Sequence, residues 1–445
     1  MKQYNFTEGS ILKQLIFFST PVLLTNLLQV SYQFIDSLWV GNLLGSDALG
    51  AIAVSGTVIF TILSFIIGIN NASLTILSQQ KGNDDEEGLS RYLNAFVVIL
   101  SALAILLGVI GFLSSETILK LLGTPETMLV DATTYLQINF VGILFLFGYN
   151  FIGTVLRAVG DSKTPLRFVF ISVILNAMLD PIFIWTFDLG IAGAAYATVL
   201  SQGFAFIYGI IYILKKKLVP FSFPALPKRE ETVLIFNLGI PSGLQMTVIS
   251  AGVMAIMSVV TSFGNDAVAG FGAAQRLDSI LMLPAMALGT SVSSMAGQNI
   301  GAGKWSRVNQ IGLYGVIYNF AIMMLVAVVI FFLAEWATRL FIEDEGAVAF
   351  GTHYLKVVAF FYPFLGINFI LNGVVRASGA MFAILVLNII SFWVLRYPLT
   401  YLFAKWLGET GIGLGMGTSF VISSIIAFVY YKYGKWDQKQ IFASK

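Results

Sequence analysis

The run Asn176-Ala177-Met178-Leu179-Asp180-Pro181 puts a carboxylate, an amide and a proline inside an apolar stretch from about Pro165 to Trp185. That stretch matches the roughly 20 apolar residues that cross a bilayer. An acid there is costly, by roughly 2.5–3.5 kcal/mol or more at a helix centre. Asn176 and Asp180 are four apart and share one helical face. Pro181 removes a backbone donor and frees a carbonyl one turn earlier. Together they read as half of an ion site. Asp36, after Tyr32-Gln33-Phe34-Ile35, and Thr198 fall at overlapping depth in two other apolar runs. Two carboxylates with amide and hydroxyl partners can share a proton, because like charges at low dielectric resist joint ionisation. They can also hold a hard cation such as Na⁺ through oxygens.

Each residue has a plainer reading. Asp36 can sit at a watery interface, since Gly41 and Asn42 follow it. Thr198 and Asn176 can be hydrogen-bonding glue between helices. Tyr32 can belong to an interfacial aromatic belt. Asp180 is the hardest to explain away.

The elements that would position these groups follow from composition. The 445 residues are 57% hydrophobic and 11% charged, with a mean hydropathy of +0.86. A soluble domain carries about 25% charged residues. The chain therefore reads as a multi-pass, all-α integral membrane protein. Without cysteine, and with His353 as the one histidine, it offers no disulfide framework and no Cys- or His-based metal centre. No nucleophile–base motif marks an enzyme, and the net charge of +2 gives no nucleic-acid patch.

Twelve apolar spans are expected, near 11–39, 50–78, 92–114, 131–156, 165–187, 190–214, 232–262, 268–297, 311–333, 351–375, 380–404 and 411–433. The charged, proline-rich stretch 215–231 divides them. The expected organisation is a first lobe over 1–214, a cytoplasmic linker over 215–231 and a second lobe over 232–445. With the N-terminus inside, nineteen lysines and arginines fall in inner segments, against Lys120, Arg339 and Lys405 outside. This bias places both termini in the cytoplasm of a cell whose plasma membrane holds the protein. Pro21 and Pro241 fall mid-span, and Pro21 is a candidate kink in a moving first helix.

The halves repeat. Gly45-Ser46-Asp47-Ala48 recurs as Gly264-Asn265-Asp266-Ala267, and Arg157-Ala158-Val159-Gly160 as Arg376-Ala377-Ser378-Gly379, both at an offset of 219. Pro21 recurs as Pro241 at 220, and Gly190-Ile191 as Gly411-Ile412 at 221. Six spans per repeat give two lobes related by a pseudo-two-fold axis along the membrane normal. The acids do not repeat: positions 219 beyond Asp36 and Asp180 are Ala255 and Leu399. Arg396 is expected to snorkel or to pair with an acid on another helix.

Taken together, these residues resemble the multidrug and toxic compound extrusion (MATE) family of the MOP superfamily. The resemblance spans nearly the whole chain. It is carried by Asp36-Ser37-Leu38-Trp39-Val40-Gly41, Arg157-Ala158-Val159-Gly160-Asp161, Asn176 to Pro181, Gly297-Gln298-Asn299-Ile300-Gly301-Ala302 and Arg376 to Gly379. It implies a secondary antiporter that exports cationic or lipophilic drugs in exchange for H⁺ or Na⁺, by alternating access between two lobes. It implies a cation-coupling site at Asp36, Asn176, Asp180 and Thr198, with Tyr32 beside it, and no other cofactor. The span near 232–262 has no acid of the kind some Na⁺-coupled relatives carry in the second lobe. The chain is thus more similar to the DinF-type branch. Expected partners are small organic cations and membrane lipid, with the chain acting as a monomer. A flippase for lipid-linked or polysaccharide substrates, from the same superfamily, is the alternative reading.

Overall fold

The computed structural model describes residues 4–221, 224–438 and 441–442. Among these residues every regular element is helical, as a bilayer requires of a chain that must satisfy its backbone within each span. The α-helices are α1 (Ile11–Leu44), α2 (Ser46–Gly82), α3 (Glu86–Leu121), α4 (Glu126–Val141), α5 (Ile143–Ala158), α6 (Lys163–Pro181), α7 (Gly190–Lys216) and α8 (Arg229–Val260). They continue as α9 (Asn265–Leu281), α10 (Leu283–Gly301), α11 (Trp305–Arg339), α12 (Glu345–Val358), α13 (Tyr362–Ala377), α14 (Met381–Ile389), α15 (Tyr397–Leu407) and α16 (Glu409–Tyr433). Among the described residues, eleven helices or joined helices are long and apolar enough to cross a membrane, and α4 with α5, bent by 53° at Gly142, make twelve if the pair counts as one span.

The helices outrun the apolar runs. α2, with 37 residues, is about 55 Å long at 1.5 Å per residue. The hydrocarbon core is only about 30 Å thick. The extra turns carry the charges, such as Asp47 in the first turn of α2 and Lys81 in its last.

The chain forms two compact units: residues 1–4 with Leu24–Asn237, and Asn5–Leu23 with Leu238–Lys445. Residues 5–23, read from sequence as part of the first lobe, thus pack into the second unit. Buried apolar side chains, Leu15, Phe18 and Val22 among them, and a set of polar contacts accompany this. The Phe6 N–H donates to Gln298 Oε1 at 3.3 Å. The Phe6 carbonyl accepts from Asn299 Nδ2 at 2.9 Å and from Arg307 Nε at 3.0 Å. Phe6 also stacks edge-on to Phe18.

The duplication shows in the backbone. Gly45 and Gly264 precede α2 and α9 at φ of 90° and 96°. Gly160 and Gly379 sit at 89° and 90°. A side chain is disfavoured at these angles, so each repeat has a glycine hinge at the same two turns. In the first unit, the Asp161 carboxylate then accepts from the N–H groups of Lys163 and Thr164, both at 3.0 Å, and caps α6. Ala380 follows the second hinge and offers no such cap.

Candidate functional site

The first unit brings together the polar residues singled out above. Asp36 lies on the last third of α1, Asn176 and Asp180 on α6, and Thr198 in the third turn of α7. Asn176 and Asp180 are fully buried, and Asp36 and Thr198 nearly so, each 6% exposed. Thr198 Oγ1 donates to Asp36 Oδ2 at 3.1 Å. Asn176 Nδ2 donates to Asp180 Oδ1 at 3.3 Å, the one-turn contact that their spacing allows. Asp36 and Asp180 lie close enough for each to act on the other's charge. Tyr32, half-buried, donates its hydroxyl to the Thr198 carbonyl at 3.3 Å.

The local backbone is shaped for this. α6 ends at Pro181 and runs on as a π-helical turn over Ile182–Thr186. The turn begins where proline interrupts the α-helical ladder, and such turns recur at functional sites. α7 returns close against it, and Gly193 permits the approach. A Cβ there would lie 2.7 Å from the Phe183 carbonyl carbon.

Two features define the chemistry. No basic side chain balances the acids: none of the ion pairs among the described residues includes Asp36 or Asp180. Asp36 Oδ1, Asp180 Oδ2 and Asn176 Oδ1 are all buried, and none has a hydrogen-bond donor from the described residues. Buried acceptors of this kind are costly unless something satisfies them. The missing partner must be a donor or a cation. One proton between the two carboxyls would satisfy both acids at once. A sodium ion would find an all-oxygen set from Asp36, Asp180, Asn176 and Thr198, which suits a hard cation.

Tyr135 on α4 is a member that sequence reasoning missed. It is buried and faces Asp36, Asp180 and Thr198. Ser172, one turn before Asn176, and Ser201, just beyond Thr198, face Tyr32 and were missed likewise. Serine and tyrosine are too common in membrane spans to stand out. The repeat offered the one usable signal for Tyr135, since it matches Tyr354. Pro21 lies inside α1, which continues through it.

In the second unit the corresponding positions hold different chemistry. Arg396 stands 220 residues after Asn176, Ser419 stands 221 after Thr198, and Tyr354 stands 219 after Tyr135. Arg396 Nε donates to Ser419 Oγ at 3.3 Å. Its guanidinium lies between Phe392 and Phe420, 3.8 and 4.6 Å from the ring centroids. Arg396 is 5% exposed, so it does not snorkel. Nor is it in any ion pair among the described residues. Both expectations for this residue are corrected. The aromatic faces take the place of an acid, and Phe392, four residues earlier, was the signal for it. Nearby, Asp278 accepts hydrogen bonds from the hydroxyls of Tyr354 at 3.2 Å and of Tyr362. Unit 2 thus carries a covalently attached cation where unit 1 carries unsatisfied oxygens.

Comparison with known proteins places this architecture. The MatE family model matches residues 21–182 and 241–402, one match per repeat. The probable multidrug resistance protein YpnP of Bacillus subtilis is 62% identical over 445 residues, with all of both chains covered. The probable multidrug resistance protein YoeA of the same organism is 30% identical, covering 98% of this chain and 96% of its own. Among solved structures, a MATE transporter of Vibrio cholerae in its bent form superposes with a TM-score of 0.91 at 24% identity, covering 96% of this chain and 97% of that one. A MOP-superfamily transporter from Pyrococcus furiosus superposes at 0.90 with 22% identity, covering 97% and 98%. Eleven to twelve membrane-length spans, two repeats and a family match in each repeat lead to one assignment: the chain belongs to the MATE family of multidrug transporters.

Proposed function

We propose that this chain is a secondary antiporter that exports cationic, lipophilic compounds by alternating access, in exchange for H⁺ bound between Asp36 and Asp180. The observation that carries the proposal is a pair of buried carboxyls, each with one oxygen that has no donor among the described residues, and neither in an ion pair among them. Asn176 already points its N–H at Asp180, an arrangement that suits a proton shared by the acids. Na⁺ on the same oxygens is the second form of the proposal.

The coupling follows from electrostatics. A carboxylate pair left ionised attracts a cationic compound. A bound proton or sodium ion cancels part of that charge and weakens the attraction. Each ligand then lowers the affinity for the other by the same factor. The binding of either ligand favours release of the other. The sequence bias of lysine and arginine supports a plasma-membrane location with both termini in the cytoplasm.

The test is ethidium efflux from proteoliposomes under an imposed pH gradient or an imposed Na⁺ gradient, with wild type beside Asp180→Asn. A pH gradient alone should drive wild-type efflux, and the variant should be at least about 10-fold slower, the factor set by roughly 1.4 kcal/mol. Efflux driven only by Na⁺ reassigns the ion. Wild-type rates from the variant would sink the proposal.

A further inference from the structure

We propose that unit 1 binds one anionic glycerophospholipid, with an acyl chain in an apolar crevice between α3, α5 and α7 and the phosphate against Lys215, Lys216 and Lys217.

The crevice is lined by side chains such as Leu100, Phe147, Phe151, Phe206 and Ile210, and Ser101 supplies its one polar side chain. It holds about 800 Å³ of space between atoms, a figure that includes the open space at its mouth, so it is a surface slot and not an enclosed cavity. Its shoulders are exposed and apolar: Ile105 and Leu106 on α3, Ile207 and Ile211 on α7. On a membrane protein such faces meet acyl chains. The mouth therefore opens onto lipid.

The chain folds so that charge collects at one end of this crevice. α7 contributes Ile213 and Leu214 to the lining and then ends in Lys215 and Lys216, with Lys217 just beyond, all three exposed. Lys217 turns the chain in the left-handed conformation, at φ of 50°. The Leu218 N–H closes the turn on the Ile213 carbonyl at 3.2 Å. Val219 and Phe221 then return to the lining. Asn94 on α3 binds the backbone of Ala225. Its side chain donates to the Ala225 carbonyl at 2.8 Å and accepts from the Ala225 N–H at 2.9 Å. Three cations are thus bracketed in sequence by residues that wall an apolar slot. None of them is in an ion pair among the described residues. A slot for hydrocarbon that ends in unneutralised cations fits an anionic lipid and not a zwitterionic one.

Native mass spectrometry of the full-length protein with phosphatidylglycerol or phosphatidylcholine tests this. Wild type should retain phosphatidylglycerol at least about 10-fold more tightly. Each lysine near an anionic group is worth roughly five-fold. The triple variant K215Q/K216Q/K217Q should therefore lose about 100-fold in affinity, while K432Q/K435Q loses none. Ser101→Phe should reduce binding by filling the slot. Should that variant fail to fold, wild type can be photolabelled with a phosphatidylglycerol carrying a diazirine at its acyl end. The label should fall on peptides holding Leu100 or Phe151. Equal retention of the two lipids, full retention by the triple variant, or labelling elsewhere would each overturn the proposal.

Discussion

Thr198 and Asp36 are 162 residues apart in the chain, and a 3.1 Å hydrogen bond joins them in the membrane interior. The hydroxyl belongs to α7 and the carboxylate to α1, so the bond ties the end of the first helix to the last helix of its repeat. It orients Asp36 so that Oδ2 is occupied and Oδ1 is left for another ligand.

Removing that hydroxyl should weaken ion binding without breaking the fold. A hydrogen bond to a charged group is worth about 1.5–3 kcal/mol. Thr198→Ala is expected to raise the concentration of coupling ion needed for half-maximal efflux by roughly 10-fold or more, and Thr198→Ser to restore most of it. Equal behaviour of the two variants would mean that the methyl group, and not the hydroxyl, matters.

Asp36 and Asp180 should behave as one unit. If they share a proton, losing either destroys the shared site. Asp36→Asn and Asp180→Asn should then each cost nearly as much efflux as the double variant, since contacting residues are not additive. Multiplicative losses, measured as initial rates under one pH gradient, would show two independent acids.

The Asp161 cap should hold the helix that carries half of the site. Its carboxylate satisfies two of the free N–H groups at the start of α6. Asp161→Ala is expected to cost about 1–2 kcal/mol of stability and Asp161→Asn clearly less. Thermal unfolding in detergent, followed by circular dichroism, reads this directly. An alanine variant as stable as wild type would remove the cap from the account.

Arg396 should matter for packing more than for coupling. Its guanidinium stacks between two rings, a geometry that lysine cannot reproduce. Removing a buried ion in favour of an apolar side chain of similar size is often neutral. Arg396→Leu is therefore expected to unfold at a temperature equal to or above that of Arg396→Lys, with the ion dependence of efflux unchanged in both. A changed ion dependence would tie the second unit to the coupling step.

Much of this was legible in the sequence because membrane spans leave few options. An acid in an apolar run is conspicuous, and a four-residue spacing fixes a shared face. Asn176 and Asp180 were found that way, and the matching depths of Asp36 and Thr198 linked them. Tyr135 and Ser172 carry no such cost in a span, so composition could not separate them from packing residues. The bend at Gly142 splits an apolar run that reads as one helix, because glycine alone does not say where a helix turns. Residues 5–23 join the second unit in part through Phe6 meeting Gln298 and Asn299. That pairing across nearly 300 residues left no trace in local pattern.

The stacked guanidinium sets an upper limit on stoichiometry. Arg396 occupies its position with a charge that cannot dissociate, diffuse or be swapped for another. On the proposed function, the coupling ion exchanges at the acids of the first repeat, Asp36 and Asp180. Two carboxyls that resist joint ionisation cannot release two protons as cheaply as one. A turnover ratio of one proton per cationic substrate leaves the exchange electrically silent for a singly charged drug. Membrane potential alone should then do little work, and the pH difference should set the direction of transport.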